Sequence, residues 1–215
     1  MRRVSIRNKT FGFDGAEHEH MLTAVIVNAA PIQRAYYSEA FDADKPQTPV
    51  CWSSNTQYPD TEVHEVGKMQ ATRCMDCRHN IRGGAVGGGR SCKFSQNVAI
   101  VFPADLEKVY QLRVPANSIF GRPRGTLMPL QEYARFLNKH DTVCSEIYTK
   151  LYFDDDSIVP KLFFAPTKPL KATEIDIVSA MVSHPDTLKA IALDFSRGQE
   201  SFSPFEKTEG FKITG

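Results

Sequence analysis

The chain has 215 residues, 41% of them hydrophobic and 24% charged, with a formal net charge of +1. This is enough for one domain with an insertion around a sizeable core, and near-neutral charge leaves only a local patch to attract a polyanion. No run is long and apolar enough to cross a bilayer, no signal-peptide core follows Met1-Arg2-Arg3, and five cysteines including a C-x2-C fit a reducing cytosol better than a disulfide framework.

In chain order, residues 1–20 are polar, end in Glu17-His18-Glu19-His20, and read as an exposed arm. Residues 21–28 are rich in β-branched side chains and predict a buried strand. Residues 38–73 are rich in Ser, Pro, Asp, Thr and Gln without periodicity, a long excursion that needs an internal staple. Residues 97–102 and 107–114 predict two more strands, ended by Pro103 and Pro115. Pro129 to Lys139 predicts a helix with Leu130, Tyr133, Ala134 and Leu137 on one stripe and Pro129 in its first turn. Residues 143–153 and 158–165 predict a hairpin turning on a solvated Asp154-Asp155-Asp156-Ser157 loop. Thr173 caps a helix running from Glu174 to about Val182, with Ile175, Val178, Met181 and Val182 inward. A second short helix after Pro185 is expected to bury Leu188 and Ile191. About five strands with a helix between the third and fourth predict a mainly β fold, an OB-like five-stranded barrel with C-terminal helices. Residues 1–215 form a single domain on this reading, with residues 45–95 inserted and residues 196–215 as a flexible tail.

The insertion carries the clearest chemistry. Cys51, Cys74, Cys77 and Cys92 place a C-x2-C knuckle 23 residues after one cysteine and 15 before another. Four thiolates fill the tetrahedral shell of Zn2+ and leave no open position, so one structural zinc per chain is expected, with His64 and His79 as substitute ligands. Between Lys68 and Lys93, the cations Lys68, Arg73, Arg78, Arg82, Arg90 and Lys93 face one acid, Asp76, a local charge of +5. Such a cluster on a metal-pinned loop is a footprint for phosphates. Rings are interleaved with it: Trp52 beside the first cysteine, Phe94 just past the last, and Phe120 near Arg122 and Arg124. Bases of single strands stack on such rings while arginines meet the backbone.

Other patterns weigh less. Gly84 to Ser91 has the Walker A spacing with Arg90 in place of lysine, but it follows a cysteine knuckle where a phosphate loop needs a strand, and Cys92 stands where its helix should start. The glycines are better read as turn-formers. Cys77-Arg78-His79-Asn80 hints at an HNH-type nuclease but lacks a second metal-binding histidine nearby. Cys144 reads as a core thiol. No acid–base constellation marks the chain as an enzyme.

The segments Pro49-Val-Cys51-Trp-Ser53, Ala71 to Asn80 around the knuckle and Gly89-Arg-Ser-Cys92-Lys93 resemble a family of phage-encoded single-stranded DNA-binding proteins with a cysteine-bearing insertion. Leu112 to Ser118 and Pro160 to Pro166 are similar too. The resemblance implies an OB-fold that coats single strands in replication and recombination in the host cytoplasm. Many such proteins recruit replication partners through an acidic tail. Here residues 194–215 carry four acids against three bases, a charge of only −1. The expectation is a non-enzymatic protein that binds single-stranded DNA, or RNA, with Trp52, Lys68, Arg73, Arg78, Arg82, Arg90, Lys93, Phe94, Arg122 and Arg124 at the interface. No membrane is involved, and a homo-oligomer is compatible with this reading. The alternatives are a zinc-ribbon module that binds a polymerase or other host protein, and a metal-dependent nuclease.

Overall fold

The structure, a computed structural model, describes residues 1–13, 19–39, 48–85 and 88–193. The tail expected over residues 196–215 lies outside them. The chain is mainly β with a few helices. Strands β1 (Arg2–Arg7), β2 (Thr10–Gly12), β3 (Met21–Ala29), β4 (Gln33–Tyr36) and β5 (Cys51–Ser53) precede the short helix α1 (Thr61–Glu65). After the knuckle come β6 (Cys92–Phe102), β7 (Asp105–Pro115), α2 (Ala116–Ile119), α3 (Leu130–Lys139), β8 (Ile147–Phe153), β9 (Leu162–Pro169), α4 (Ala172–Met181) and α5 (Pro185–Ile191). The strands are ordered β2-β1-β7-β6-β3-β8-β9, with β4 joining β6 to β5.

This is a curled open sheet. Two long strands change neighbours along their length: β3 pairs with β8 through residues 21–24 and with β6 through 25–29, and β6 pairs with β4 through its first residues and with β3 further on, while β7 lines its other edge. Register shifts at Ile26/Asn28, Ile100/Phe102 and Ile147/Thr149 add the local bends that let a sheet wrap. The curl brings Phe11 of β2 against Phe153 of β8, ring centroids 4.5 Å apart.

Both faces of the central strands are buried, which is why β3 and β6 read as continuous apolar runs. Leu22, Ala24, Ile26, Val98 and Ile100 point into the concave side, where α3 lays Leu130, Tyr133 and Leu137 across the opening. Tyr133 hydrogen-bonds Thr149 at 2.6 Å in that core. Val25, Val27, Ala99 and Val101 point to the convex side and are covered by Val178, Met181 and Ala190 of α4 and α5. Side-chain amides of the sheet fix this cover. Gln111, Gln33 and Asn97 donate to the carbonyls of Ala190, Ile191 and Ala192 at 2.6, 3.5 and 2.9 Å, and Asn28 donates to Val182 at 3.2 Å. These are the carbonyls a helix end leaves without a partner.

Several expectations are corrected. Nine strands, not five, are present among the described residues. The N-terminal segment is not an exposed arm: Val4, Ile6 and Phe11 alternate inward and join the concave core. Pro129 is the N-cap of α3 and stands before its first turn. Helix α4 starts after Lys171, whose backbone N–H donates to the Glu174 carboxylate at 2.8 Å, so Thr173 is not its cap. The first hairpin strand starts at Ile147, after a 3-10 turn over Cys144–Glu146, and its partner is Leu162–Pro169. Asp154 is not a solvated turn residue. It is buried between Lys161 at 2.7 Å and Arg124 at 2.9 Å. Leu188 is 52% exposed, because the inward positions of α5 are Thr187 and Ala190.

A candidate metal and nucleic-acid site

The cysteines are gathered by β4. Tyr36 pairs with Cys51 of β5 on one side and with Cys92 of β6 on the other, so both thiols flank it on one face. The knuckle arrives from above. Two 3-10 turns, Cys74–Asp76 and Arg78–Asn80, carry Cys74 and Cys77. The Cys74 amide is anchored on the Gln57 carbonyl at 2.8 Å, and the His79 ring lies on Tyr36 with centroids 3.7 Å apart. All four cysteines, with Arg34, line one cavity of about 20 Å³, little more than a single water-sized sphere. Burial pushes the Cys92 thiol up to about 12, with Arg34 pulling it down and the other three cysteines pushing it up. Cys51 and Cys74 are raised as well, chiefly by burial, against hydrogen bonds from the Gln70 amide and the Ser53 side chain respectively.

Soft thiolates in a closed pocket are a zinc donor set. The spacing is less accommodating. Among the described residues, no three His, Cys, Asp or Glu side chains stand where they could hold a metal ion together. The strand pairing gives a reason: Cys51 and Cys92 are two interstrand steps apart, roughly 9–10 Å between backbones, with Tyr36 between them. The residue types are those zinc takes, but as placed they do not form a group that holds a metal ion.

The aromatic and basic side chains divide. Register places Trp52, Ala35 and Lys93 in a row on one face, and Ser53, Arg34 and Phe94 on the other. Phe94 meets Phe120 edge to face at 6.1 Å. The Arg34 and Arg90 guanidinium groups lie over the Phe94 ring at 4.3 and 5.7 Å. Arg34 was not singled out in the sequence, which predicts no element over residues 29–37. It is buried, donates from Nη1 to the Cys74 carbonyl at 3.3 Å, and leaves Nε without an acceptor.

Lys68, Arg82 and Arg122 are exposed, with no ion pair among the described residues. Arg73 faces Asp76 at 3.9 Å, a weak exposed pair. Arg78 donates to the His79 ring at 3.2 Å, and Arg90 donates to the Asn80 carbonyl at 2.7 Å, tying the knuckle to β6. Arg124 is engaged elsewhere: Nη1 spans Asp154 and Asp156, each at 2.9 Å. The glycine loop is folded on itself. Gly83 and Gly88 take positive φ of 88° and 77°, and the amides of Gly83, Gly84, Ala85 and Gly88 donate to carbonyls of residues 81–89. Those four amides are thus not turned toward a phosphate. Cys144 packs against the concave core, and burial pushes its thiol up to about 11.

No helix among the described residues is long and apolar enough to cross a membrane. Compared with known proteins, the chain matches no family model, no curated protein and no solved structure. Its function must be argued from the curled sheet and the cysteine-lined edge alone.

Proposed function

We propose that the protein binds single-stranded nucleic acid, DNA first, without sequence preference and without chemistry of its own. The observation that carries this reading is the exposed Phe120 ring edge-on to Phe94 with Arg90 nearby, set beside a loop of local charge +5. Ring faces for bases next to cations for phosphates are what a strand-coating surface requires. The curled sheet serves as an OB-like platform, and Cys51, Cys74, Cys77 and Cys92 hold one structural zinc that stiffens the basic loop against β4 and β6. A role in phage replication or recombination, in a host cytoplasm, follows from the resemblance noted above.

A second reading has its own support. Met75 and Ile81, 72% and 64% exposed on the cysteine segment, suit a protein partner better than a phosphate backbone. Fluorescence anisotropy with a labelled mixed-sequence single strand and its duplex, over a salt series, separates the two. Tighter single-strand binding that falls by roughly 0.7 in log K per log salt for each phosphate neutralised supports the first. Equal affinity for both forms, or binding indifferent to salt, rejects it. Cleavage of the strand on adding Mg2+ would instead favour a nuclease.

A further inference from the structure

We infer that the loop over residues 120–127 is a preorganised part of the strand-binding edge, and that Arg124 is its positioning residue: clamped by Asp154 and Asp156, it holds Phe120 and Arg122 in place for the strand without touching the strand itself. The inference rests on the single-strand reading above and adds the clamp, which lies outside the proposed contact surface.

Residues 120–126 are all exposed, yet the segment that carries them is fastened to the hairpin of β8 and β9 on both sides and from within. Before the loop, Asn117 donates to the Pro160 carbonyl at 3.2 Å, and the Leu162 amide donates to the Ser118 hydroxyl at 2.8 Å. After it, the backbones of Met128 and Phe164 exchange bonds of 3.0 and 2.7 Å. Within it, Arg124 Nη1 donates to Asp154 and Asp156, each at 2.9 Å, and the guanidinium lies over the Phe163 ring at 5.7 Å. The Arg124 and Leu127 backbones close the turn beside it with bonds of 2.8 and 3.0 Å. Charge is balanced at the clamp. Asp154, 4% exposed, also takes Lys161 at 2.7 Å, so two carboxylates meet two cations and little charge on Arg124 is left for a phosphate. Arg122, two residues earlier, is exposed and has no ion pair among the described residues. Phe120 is 41% exposed and edge-on to Phe94. The loop thus presents a ring and a cation on a short exposed stretch whose far end is pinned. Without the clamp, that stretch would have to be ordered when a strand binds, at a cost in backbone and side-chain entropy. With it, the ordering is done on folding.

The test is anisotropy of a labelled mixed-sequence single strand over a salt series, on the full chain well below its melting temperature, with amide hydrogen exchange over residues 119–128 as the local readout. Asp154→Asn and Asp156→Asn each remove a negative charge, so electrostatics alone would tighten binding to a polyanion. Positioning requires the opposite sign. Asp154→Asn should weaken binding about tenfold, Asp156→Asn by less, and exchange in the loop should quicken in both. Arg124→Gln should also weaken binding and keep the wild-type salt slope, because the residue neutralises no phosphate. If Asp154→Asn does not fold, Asp156→Asn decides, since its side chain is 80% exposed. Binding as tight as wild type or tighter in the two aspartate variants overturns the positioning role and leaves the single-strand reading intact. An Arg124→Gln slope flattened by about 0.7 does the same, because it puts Arg124 on a phosphate. Loop exchange unchanged in all three variants also overturns it. A wild type that binds no single strand rejects that reading itself, and this inference with it.

Discussion

Phe120→Ala is the cleanest probe of stacking. The ring follows α2, is 41% exposed and touches Phe94 edge-on at 6.1 Å. A fully buried phenylalanine is worth about 1.5–3 kcal/mol, so truncating one this exposed should cost roughly 1 kcal/mol of stability and leave the fold intact. A base stacked on it contributes about 1–3 kcal/mol, which is roughly a 5- to 150-fold rise in Kd. Charge is untouched, so the slope of log Kd against log salt should stay where it is in the wild type. Phe94→Ala would be harder to read, because the same ring carries the Arg34 guanidinium at 4.3 Å. The assay is anisotropy on a labelled single strand at four or so salt concentrations, beside a melting curve. A Phe120→Ala protein that melts within a degree or two of wild type and binds with the same Kd refutes the stacking role. One that loses affinity with a flattened slope shows that the ring acted through a neighbouring cation.

The remaining expectations concern charge, metal and pH. Alanine at Lys68, Arg82 or Arg122 should each flatten the salt slope by about 0.7 if the residue meets a phosphate. Arg124→Ala should leave the slope unchanged and lower the melting temperature, since its guanidinium ties Asp154 to Asp156. Cys74→Ser or Cys77→Ser should abolish stoichiometric zinc and make residues 48–85 protease-sensitive while the sheet survives; metal content unchanged in both would remove the ligand assignment. At Asp154, burial pushes the carboxyl up, but the Lys161 hydrogen bond and charge, the Asp156 amide and the Arg124 charge together hold it below its ordinary 3.8. The folded state thus binds fewer protons than the unfolded one, so this stabilisation is present above about pH 4 and is lost as pH falls through the depressed value. Asp154→Asn should cost roughly 1–3 kcal/mol at pH 7, and its melting-temperature gap to wild type should narrow as pH falls below 4. A gap that does not narrow down to the lowest pH at which the protein stays folded would show that the ion pairs contribute nothing.

The parts of the fold legible in the sequence are those fixed by local pattern. The β-branched runs at 21–28 and 97–102 announce β3 and β6, and the Leu130/Tyr133/Ala134/Leu137 stripe announces α3, though Ala134 itself is exposed. What was illegible depends on distant partners. β1 alternates Val4 and Ile6 with arginine and serine, which resembles a polar arm until β7 pairs with it. β5 is three residues long and exists through β4. The rotation of α5 is set by Gln111, Gln33 and Asn97 holding its last carbonyls, and those amides turn Leu188 outward, against the apolar stripe. Asp154 sits in a run of three aspartates that reads as solvated, and only Lys161 and Arg124 make its burial tolerable. At the site, the sequence picked out the four cysteines that share a cavity, but it gave no sign of Arg34.

The pairing of β4 also decides how the candidate interface can work. Trp52 and Lys93 flank Ala35 on one face of this small sheet, while Phe94 and the cysteine row lie on the other. A single strand lying in one groove cannot stack on both Trp52 and Phe94. The Phe94 side has the second ring, Phe120, and two guanidinium groups within 6 Å of the ring centre. The cysteine-lined cavity is on the same side, and Arg34 both lines it and lies over the Phe94 ring. On the Trp52 side, the neighbouring positions toward the sheet centre, Asn97 and Gln111, are already committed to the carbonyls of α5 and the residue after it. The convex face is thus the surface the C-terminal helices cover, and the edge at Phe94, Phe120 and Arg90 is where rings and cations converge.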